Sequence, residues 1–418
     1  MNKAISVGVV LGVVLGANSA FVAADASEQA SSVSEMFAKS SHSGQVRFGY
    51  LTINPEVSGE NTLDDMAIGG QLKLETASFN GVSLGGAFYT SHSITEPDDD
   101  DFNDEMTGPD QKFDLLAEAY VNYSVAGLNL RLGRQAIDTP FADTDDIRMT
   151  PHTFEALVGD YDLGGGFNLT AGWMTRWQGV DAGYPNDAEF DDMVQDSDGT
   201  FMLGGVYAGD TFEASAWYYS VVDVADVFYG DIMMPFALSD GITMTLGAQV
   251  SFQSDDTNTK TLAEVGSEIG GTLYGLMVEV AVGDFTIGAA WDHADVDEEE
   301  ALFGGWGGGP FFTNIDTLVA NEFAAGQDAD SYTLSLGYDF AGVEGLSVGY
   351  TFGHYEGGSD AYDSSADAEV EEHNFGIEYA ISDGWFIDAV YVLSDDKENS
   401  ADTEWDYDRF QTRVTFNF

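Results

Sequence analysis

The last nine residues of the chain, FQTRVTFNF from Phe410 to Phe418, alternate strictly between two classes of side chain. The mainly apolar class consists of Phe410, Thr412, Val414, Phe416 and Phe418. The polar class consists of Gln411, Arg413, Thr415 and Asn417. Because successive side chains of a β-strand point to opposite faces, the stretch predicts a strand with one apolar and one polar face. An edge strand of a two-sheet sandwich would have the same pattern, so the rest of the chain must decide between the two folds.

Similar alternation recurs along the whole chain and gives eighteen predicted strands in total. They span 44–54, 66–77, 81–92, 113–125, 127–136, 153–162, 166–178, 200–208, 210–221, 226–234, 241–253, 268–282, 284–294, 331–341, 345–356, 369–381, 384–395 and 405–418. The segment 226–234 has the least regular pattern. Strands at this density predict an all-β fold.

The connections between the predicted strands alternate between short and long. The short ones lie near 78–81, 126–127, 164–166, 209–210, 238–241, 283–284, 342–345 and 382–384, and each contains the Gly, Asn or Asp that tight hairpin turns favour. The long ones are acidic and lie near 98–105, 187–198, 295–300, 360–372 and 395–406. Short turns at one rim and long loops at the other are typical of a transmembrane β-barrel, whereas a sandwich has no reason to sort its loops in this way.

We therefore predict a transmembrane antiparallel up-and-down β-barrel over residues 44–418, with about eighteen strands. Both ends of the barrel then lie at the short-turn rim, which requires an even number of strands. The apolar face must contact lipid, because unpaired polar side chains are costly in hydrocarbon. The small and polar face then lines a wet lumen and carries Arg47, Arg131, Arg176 and Arg413.

The charge composition excludes several classes of function. The chain has 73 acidic and 13 basic residues, a net charge of −60, which rules out nucleic acid as a partner. The 44% hydrophobic and 13% aromatic content argues against a disordered acidic chain. The chain contains no cysteine, which excludes zinc–thiolate sites and cysteine nucleophiles.

The first residues have the pattern of a secretory signal peptide. Lys3 precedes an apolar run from Ala4 to Ala17, and small residues then allow cleavage after residue 24 or 26. The run is shorter than the roughly 20 residues that a membrane-spanning helix needs. We predict a signal peptide over 1–26 and a short periplasmic segment over 27–43, too short to form a folded plug inside the barrel.

A terminal strand that ends on an aromatic residue resembles the last strand of bacterial outer-membrane barrels, in which it is recognised by the barrel-assembly machinery. The resemblance implies that Phe418 is an assembly signal and that the protein lies in the outer membrane of a Gram-negative bacterium, in contact with lipids and lipopolysaccharide. It also implies short periplasmic turns and long extracellular loops. Both monomers and homotrimers occur among such channels, and the sequence does not choose between them.

A more specific resemblance begins at Leu132 and continues through the third loop of the long-loop rim, residues 137–152. The motifs are LGRQ at Leu132–Gln135, DTP at Asp138–Pro140, DDIRM at Asp145–Met149, then Pro151 and TFE at Thr153–Glu155. Together they resemble the OprD family of substrate-selective porins, which have eighteen strands. In that family the third loop, here 137–152, folds into the barrel and narrows the pore.

A second stretch resembles the family's seventh loop, which also shapes the constriction. It runs from Ala301 to Phe311 and on to Asn314–Asp316, and its candidate constricting residues are Trp306, Pro310 and Asp316. The resemblance implies a channel that lets small hydrophilic solutes such as amino acids, carboxylates and ions diffuse passively and with some selectivity. An enzymatic activity is not expected. The alternative is a structural or adhesive surface barrel with an incidental pore.

Opposed charges are the expected basis of selectivity. Carboxylates on an inserted loop that face guanidinium groups on the wall create a transverse field, which a solute with separated charges can follow. The candidate loop residues are Asp138, Asp143, Asp145, Asp146 and Arg148, and the candidate wall residues are Arg47, Arg131, Arg134, Arg176 and Arg413. The overall acidity favours cations at the mouth.

Two of these arginines have alternative interpretations. Strict alternation places Arg134 on the lipid side with Leu130 and Leu132. A bulge at Gly133 would turn it inward, which we expect, and the alternative is that it lies at the rim of the barrel. Arg148 can line the pore, or it can pair with Asp145 or Asp146 and hold the loop folded.

The aspartate clusters also suggest divalent cations, since several carboxylate oxygens suit Ca²⁺ or Mg²⁺. We expect loosely bound Ca²⁺ or Mg²⁺ at the acidic loops, where these ions can bridge to lipopolysaccharide phosphates, and no other cofactor. The candidate for an ordered site is Asp143 with Asp145 and Asp146. The alternative is a solvated acidic rim that binds no ordered ion. The six histidines show no metal-ligand spacing.

Overall fold

The computed structural model describes residues 29–56, 59, 61–95, 101–182, 189–258, 260–262, 267–358, 367–397 and 405–418. The predicted signal peptide 1–26, the first residues of the predicted periplasmic segment and parts of the acidic connections lie outside these residues.

The described residues form eighteen long strands that close into one barrel. The strands are β1 Ser41–Pro55, β2 Leu63–Glu75, β3 Val82–Ser93, β4 Lys112–Val125, β5 Leu128–Gln135, β6 Thr153–Gly164, β7 Phe167–Gln178, β8 Thr200–Ala208, β9 Glu213–Val221, β10 Ala225–Ser239, β11 Ile242–Asp255, β12 Gly271–Val282, β13 Phe285–Asp295, β14 Ala329–Asp339, β15 Leu346–Gly358, β16 Asp367–Ala380, β17 Trp385–Asp396 and β18 Tyr407–Asn417. Each strand pairs antiparallel with the next, and β18 pairs with β1 from Gln45↔Asn417 to Pro55↔Tyr407. The predicted closed antiparallel barrel of eighteen strands is confirmed.

A few short elements complete the described fold. The two-residue strand Asp191–Asp192 pairs with β7, and Glu268–Ile269 pairs in parallel with Glu300–Ala301. The helix Val33–Ala38 precedes β1, and a 3₁₀ helix spans Ala320–Phe323. Within the part of the chain that the structure describes, no helix is long and apolar enough to cross a bilayer.

The two faces of the barrel wall differ as the alternation predicts. Along β14, burial alternates residue by residue, so that Leu334 is 53% exposed on the outside while Thr333 is 5% exposed on the inside. The outer face carries the exposed apolar side chains, with Leu132 and Leu276 among the most exposed. Two of the long connections, 136–152 and 296–328, contact the inner face of the wall.

The N-terminal boundary of the barrel differs from the prediction. β1 begins at Ser41 and not at residue 44, because Ser41 to Ser43 continue the ladder with β2 in the register Ser41↔Glu75. Before it, the helix Val33–Ala38 is capped by the hydroxyl of Ser32, which accepts a hydrogen bond from the amide of Glu35. Met36 of this helix packs against Ala77 in the turn after β2, so the segment closes against the short-turn rim.

The strand predicted at 226–234 is longer in the structure, where β10 continues through Pro235 to Ser239. Proline removes an amide donor and therefore argues against a strand paired on both sides. The pairing with β9 ends at Glu213↔Met233, and only β11 pairs with β10 beyond that point. Pro235 is tolerated because it lies where β10 has a single neighbour.

Candidate functional site

The connection between β5 and β6, residues 136–152 and here called loop 3, extends from one wall of the barrel to the opposite wall. Its Phe141 packs against Tyr219 of β9 and Tyr229 of β10, with ring centroids 5.4 and 5.8 Å away. The carbonyl of Ile147, six residues later, accepts a hydrogen bond of 2.8 Å from Gln411 of β18. Since β18 lies half a circumference from β9, loop 3 crosses the lumen.

Loop 3 is held from the other side by the connection 296–328, here called loop 7. The amide of Asp143 donates to the carbonyl of Trp306 at 3.1 Å, and the amide of Trp306 donates to the carbonyl of Phe141 at 2.9 Å. The indole of Trp306 is buried and donates to the carbonyl of Met193 at 2.6 Å. Pro310 is half-buried in the same loop.

A guanidinium group on β1 contacts the end of loop 3. Arg47 makes a two-pronged ion pair with Asp146, with Nη1–Oδ1 and Nη2–Oδ2 distances of 2.6 and 2.8 Å. Its Nη1 also donates to the carbonyl of Arg148 at 2.8 Å. On the neighbouring β18, Arg413 donates from Nε to Asp388 at 2.8 Å and from Nη1 to the same carbonyl of Arg148 at 3.1 Å.

Two further arginines, Arg148 of loop 3 and Arg409 of β18, both donate to the side chain of Gln411. Together with Arg47 and Arg413 they form a cluster that is here called the basic wall. Arg148 donates from Nε to Glu105 at 2.6 Å, so it pairs with neither Asp145 nor Asp146 and that interpretation is wrong. Arg409 of β18 pairs with Asp316 of loop 7. Burial alone would raise the pKa of the Glu105 carboxyl, but the guanidinium groups of Arg148 and Arg409 hold it at about 2.

Arg409 and Glu105 were not among the residues predicted from the sequence. Arg409 lies two residues before Gln411 on the inner face of β18, so the alternation of the terminal strand is sufficient to find it. Glu105 lies 43 positions from Arg148 in the chain, and no local pattern links the two.

A second basic region lies on the inner face of β2 and β5. The guanidinium group of Arg131 lies 4.3 Å from the ring centroid of Tyr120, and Lys73 pairs with Glu118 at 2.8 Å. Arg131 is opposite Asn122 and Val158 in the register of its two neighbours, and both are buried inside the barrel.

The prediction that Arg134 faces the pore is wrong. Gly133 has φ +127°, but no extra residue is inserted, and the ladder runs continuously through Gly133↔Ala156 to Arg134↔Glu155. Arg134 therefore stays on the same side as Leu132, where Nε donates to Glu155 at 2.9 Å. Its guanidinium group lies over the ring of Phe190, with 4.3 Å to the centroid.

The prediction that Arg176 lines the lumen is also wrong, because the register of β6 and β7 shifts between Glu155 and Ala156. Glu155 pairs with Arg176 and Ala156 with Met174, which leaves Thr175 as the extra residue of a bulge. The bulge turns Arg176 to the outer face, where Nη1 lies 3.9 Å from Glu155. The next residue, Trp177, is turned inward by the same shift.

The remaining acids of loop 3 have separate environments. Asp138 accepts hydrogen bonds from the amide and the hydroxyl of Thr144, so it closes the loop on itself. Burial and the neighbouring Asp145 raise the pKa of Asp143 to about 8. Burial and the nearby Asp181 raise the pKa of Asp145 to about 7. At neutral pH Asp143 and Asp145 therefore carry less than their full formal charge.

The predicted trio of Asp143, Asp145 and Asp146 does not form one cluster. Asp146 is engaged by Arg47, and the carboxylate of Asp143 lies beside the amide of Gly308 at 3.4 Å. Asp145 instead lies near His152 and Asp181.

An eighteen-stranded barrel with an apolar outer face and a charged interior that is crossed by loop 3 and contacted by loop 7 has the architecture of a porin. The family model described as outer membrane porin, OprD family, matches residues 98–418. The chain belongs to the OprD family. No curated protein matches the sequence.

Solved structures of this family share the fold. OccK9 (OpdG) of Pseudomonas aeruginosa has 16% sequence identity and a TM-score of 0.77, with 92% of this chain and 99% of that chain covered. OpdK of the same organism, crystallised with vanillate, has 17% identity and a TM-score of 0.76 over the same shares of the two chains. Acinetobacter baumannii OccAB2 has 15% identity and a TM-score of 0.75, again with 92% and 99% covered. The family consists of outer-membrane channels of Gram-negative bacteria for small solutes.

Proposed function

We propose that the protein is a passive, partly substrate-selective channel for small hydrophilic solutes such as amino acids, carboxylates and ions, with a mouth that favours cations. The observation that carries the proposal is loop 3, which crosses the lumen and meets guanidinium groups of β1 and β18 at one wall. A segment placed in this way narrows the pore and lines it with opposed charges.

The basic wall is balanced by carboxylates. Arg47, Arg148, Arg409 and Arg413 each have one carboxylate partner, and these partners are Asp146, Glu105, Asp316 and Asp388 respectively. Such a wall attracts neither sign of charge strongly but presents both signs side by side. A zwitterion such as an amino acid can align its two charges with it, whereas a neutral sugar of similar size gains less.

Two structural neighbours support carboxylates as a substrate class. OpdK was crystallised with vanillate, and OccK2 (OpdF) of Pseudomonas aeruginosa, 16% identical with a TM-score of 0.74, was crystallised in complex with glucuronate. Both ligands are organic acids. The guanidinium groups of β1 and β18 are the groups of this chain that would contact such an acid.

Reversal potentials in a planar bilayer under a KCl gradient test the proposal. We expect K⁺ to be more permeant than Cl⁻, and we expect Asp146→Asn to lower that preference severalfold, because one charge beside a permeating ion in a constriction is worth about 1 kcal/mol or more. The matched control is Asp192→Asn, which removes one exposed carboxylate next to the outward-facing Arg176. Absence of conductance would favour the structural-barrel alternative, and equal effects of the two substitutions would place the constriction elsewhere.

The orientation in the membrane is a separate prediction. Epitopes inserted at Asp192 and Asp297, in the long connections, should bind antibody on intact cells, whereas epitopes at Gly164 and Gly342, in the short turns, should bind only after the outer membrane is opened. The physical reason is that the two sets lie at opposite rims of one barrel. Labelling of Gly342 on intact cells would reverse the orientation.

A further inference from the structure

Three side chains with metal-ligand chemistry meet at the edge of loop 3. Asp145 lies in the middle of loop 3 and His152 is its last residue. The third side chain, Asp181, lies three residues after the end of β7. One donor atom from each lies within 4.8 Å of the donor atoms of the other two. Among the described residues, this is the one group of three or more His, Asp and Glu side chains that meets this criterion.

The imidazole of His152 is the observation that separates this group from an ordinary acidic cluster. The side chain is fully buried, with 0% exposure, and its ring nitrogens lie near the carbonyl of Asp143 and the carboxylate of Asp181 but make no hydrogen bond of good geometry with either. Nε2 lies 3.3 Å from Oδ2 of Asp181, but the contact does not have hydrogen-bond geometry. A buried polar group without a partner is costly, so an unpaired imidazole facing two carboxylates calls for a ligand.

The packing around His152 fixes the direction of the ring. A Cβ at Gly179 would lie 1.7 Å from Cδ2 of His152, so only glycine allows the backbone to pass this close. On another side Trp177 contacts the imidazole edge to face, with 5.4 Å between ring centroids. These two contacts fix the position of the imidazole ring.

We propose that Asp145, His152 and Asp181 bind a divalent transition-metal ion such as Zn²⁺. One imidazole and two carboxylates are the donor set of such ions, whereas Ca²⁺ and Mg²⁺ prefer oxygen donors alone. With metal–ligand bonds of about 2.1 Å, two donors of a tetrahedral site lie about 3.4 Å apart. The observed 3.3 Å between His152 and Asp181 matches that spacing, and a small movement of Asp145 completes the three protein ligands.

The bound ion would join loop 3 to the segment that follows β7. Asp181 is 47% exposed, which gives the ion a route from solvent to the buried His152. The ion would also neutralise two carboxylates near the constriction. The inference does not rest on the proposed transport function, because metal binding can be measured on the purified barrel without any solute.

Isothermal titration of the detergent-solubilised protein with ZnCl₂ in excess Mg²⁺ tests the site. The excess Mg²⁺ is added to saturate any loose acidic positions on the loops, so we expect one remaining Zn²⁺ site per chain. Asp181→Asn should weaken that site at least tenfold, and His152→Gln should abolish it. Asp192→Asn, which removes another exposed carboxylate outside the cluster, should leave it unchanged. The proposal would be overturned if the wild-type protein bound no Zn²⁺ in excess Mg²⁺. It would also be overturned if the Asp181→Asn and Asp192→Asn variants bound Zn²⁺ with equal affinity.

Because His152 is buried, its substitution could prevent folding, and a second measurement avoids this difficulty. Co²⁺ bound at His152 should quench the fluorescence of the adjacent Trp177. Trp177→Phe, which keeps an aromatic ring against Phe154, should remove the quenched component without removing Co²⁺ binding. Quenching of the same amplitude in the wild type and in Trp177→Phe would place the ion elsewhere and refute the site.

Discussion

Replacing Arg47 by methionine should raise single-channel conductance and shift ion selectivity severalfold toward cations. Arg47 binds the carboxylate of Asp146 and the carbonyl of Arg148, so its loss detaches the end of loop 3 from β1. It also leaves Asp146 without its partner at the constriction. One uncompensated charge there is worth about 1 kcal/mol or more, which corresponds to roughly fivefold in relative permeability. Conductance and reversal potential in a planar bilayer measure both effects.

The matched control for Arg47→Met is Arg134→Met. Both substitutions remove one guanidinium group that is paired with a carboxylate, but Arg134 and its partner Glu155 lie on the outer face of the barrel. Arg134→Met should therefore leave selectivity unchanged. A shift of equal size in both variants would mean that Arg134 contributes to the pore after all.

Replacing Leu246 by arginine should destabilise the barrel by roughly 2–4 kcal/mol if the position lies near the bilayer midplane, and by less toward either interface. Leu246 of β11 is on the apolar outer face, opposite Val278 in the register with β12. A charged group at this position has no polar partner in the lipid. The midpoint of urea unfolding in liposomes, followed by the loss of the heat-resistant folded band, measures the effect.

Thr245→Arg provides a control at nearly the same depth in the membrane. Thr245 precedes Leu246 in β11 and points into the lumen, where it lies opposite Glu279. The new guanidinium group is then next to a carboxylate and to water, so we expect little change in the unfolding midpoint. Similar losses of stability in Leu246→Arg and Thr245→Arg would mean that the inner and outer faces have been assigned the wrong way round.

The sequence was sufficient for the number of strands and for most of the inner and outer positions. Alternation with a period of two is a local property, and each strand repeats it independently of its neighbours. Pro235 shows where this reasoning fails. Its tolerance within β10 depends on β9 having already ended, which is a property of the neighbouring strand.

The role of Phe418 as an assembly signal, the oligomeric state and loose Ca²⁺ or Mg²⁺ at the loops stay predictions.

The two misplaced arginines have different physical explanations. The glycine before Arg134 was expected to allow a bulge, but a bulge requires an extra residue relative to the partner strand, and the ladder to β6 contains none there. The register shift occurs in the pairing of β6 with its other neighbour, β7, where Thr175 is the extra residue. This shift is what turns Arg176 outward. A bulge is defined by the pairing of two strands, and a single strand's sequence does not reveal it.

The sequence by itself determined the barrel, its eighteen strands, the apolar outer face and the acidic loops, because these depend on composition and on spacing along the chain. Only the tertiary structure decided which charges meet. Arg148 pairs with Glu105 and not with Asp145 or Asp146, and Asp145 lies beside His152 and Asp181. These partners are brought together by loops that cross the lumen, and the path of such a loop is set by contacts with distant walls that no local pattern encodes.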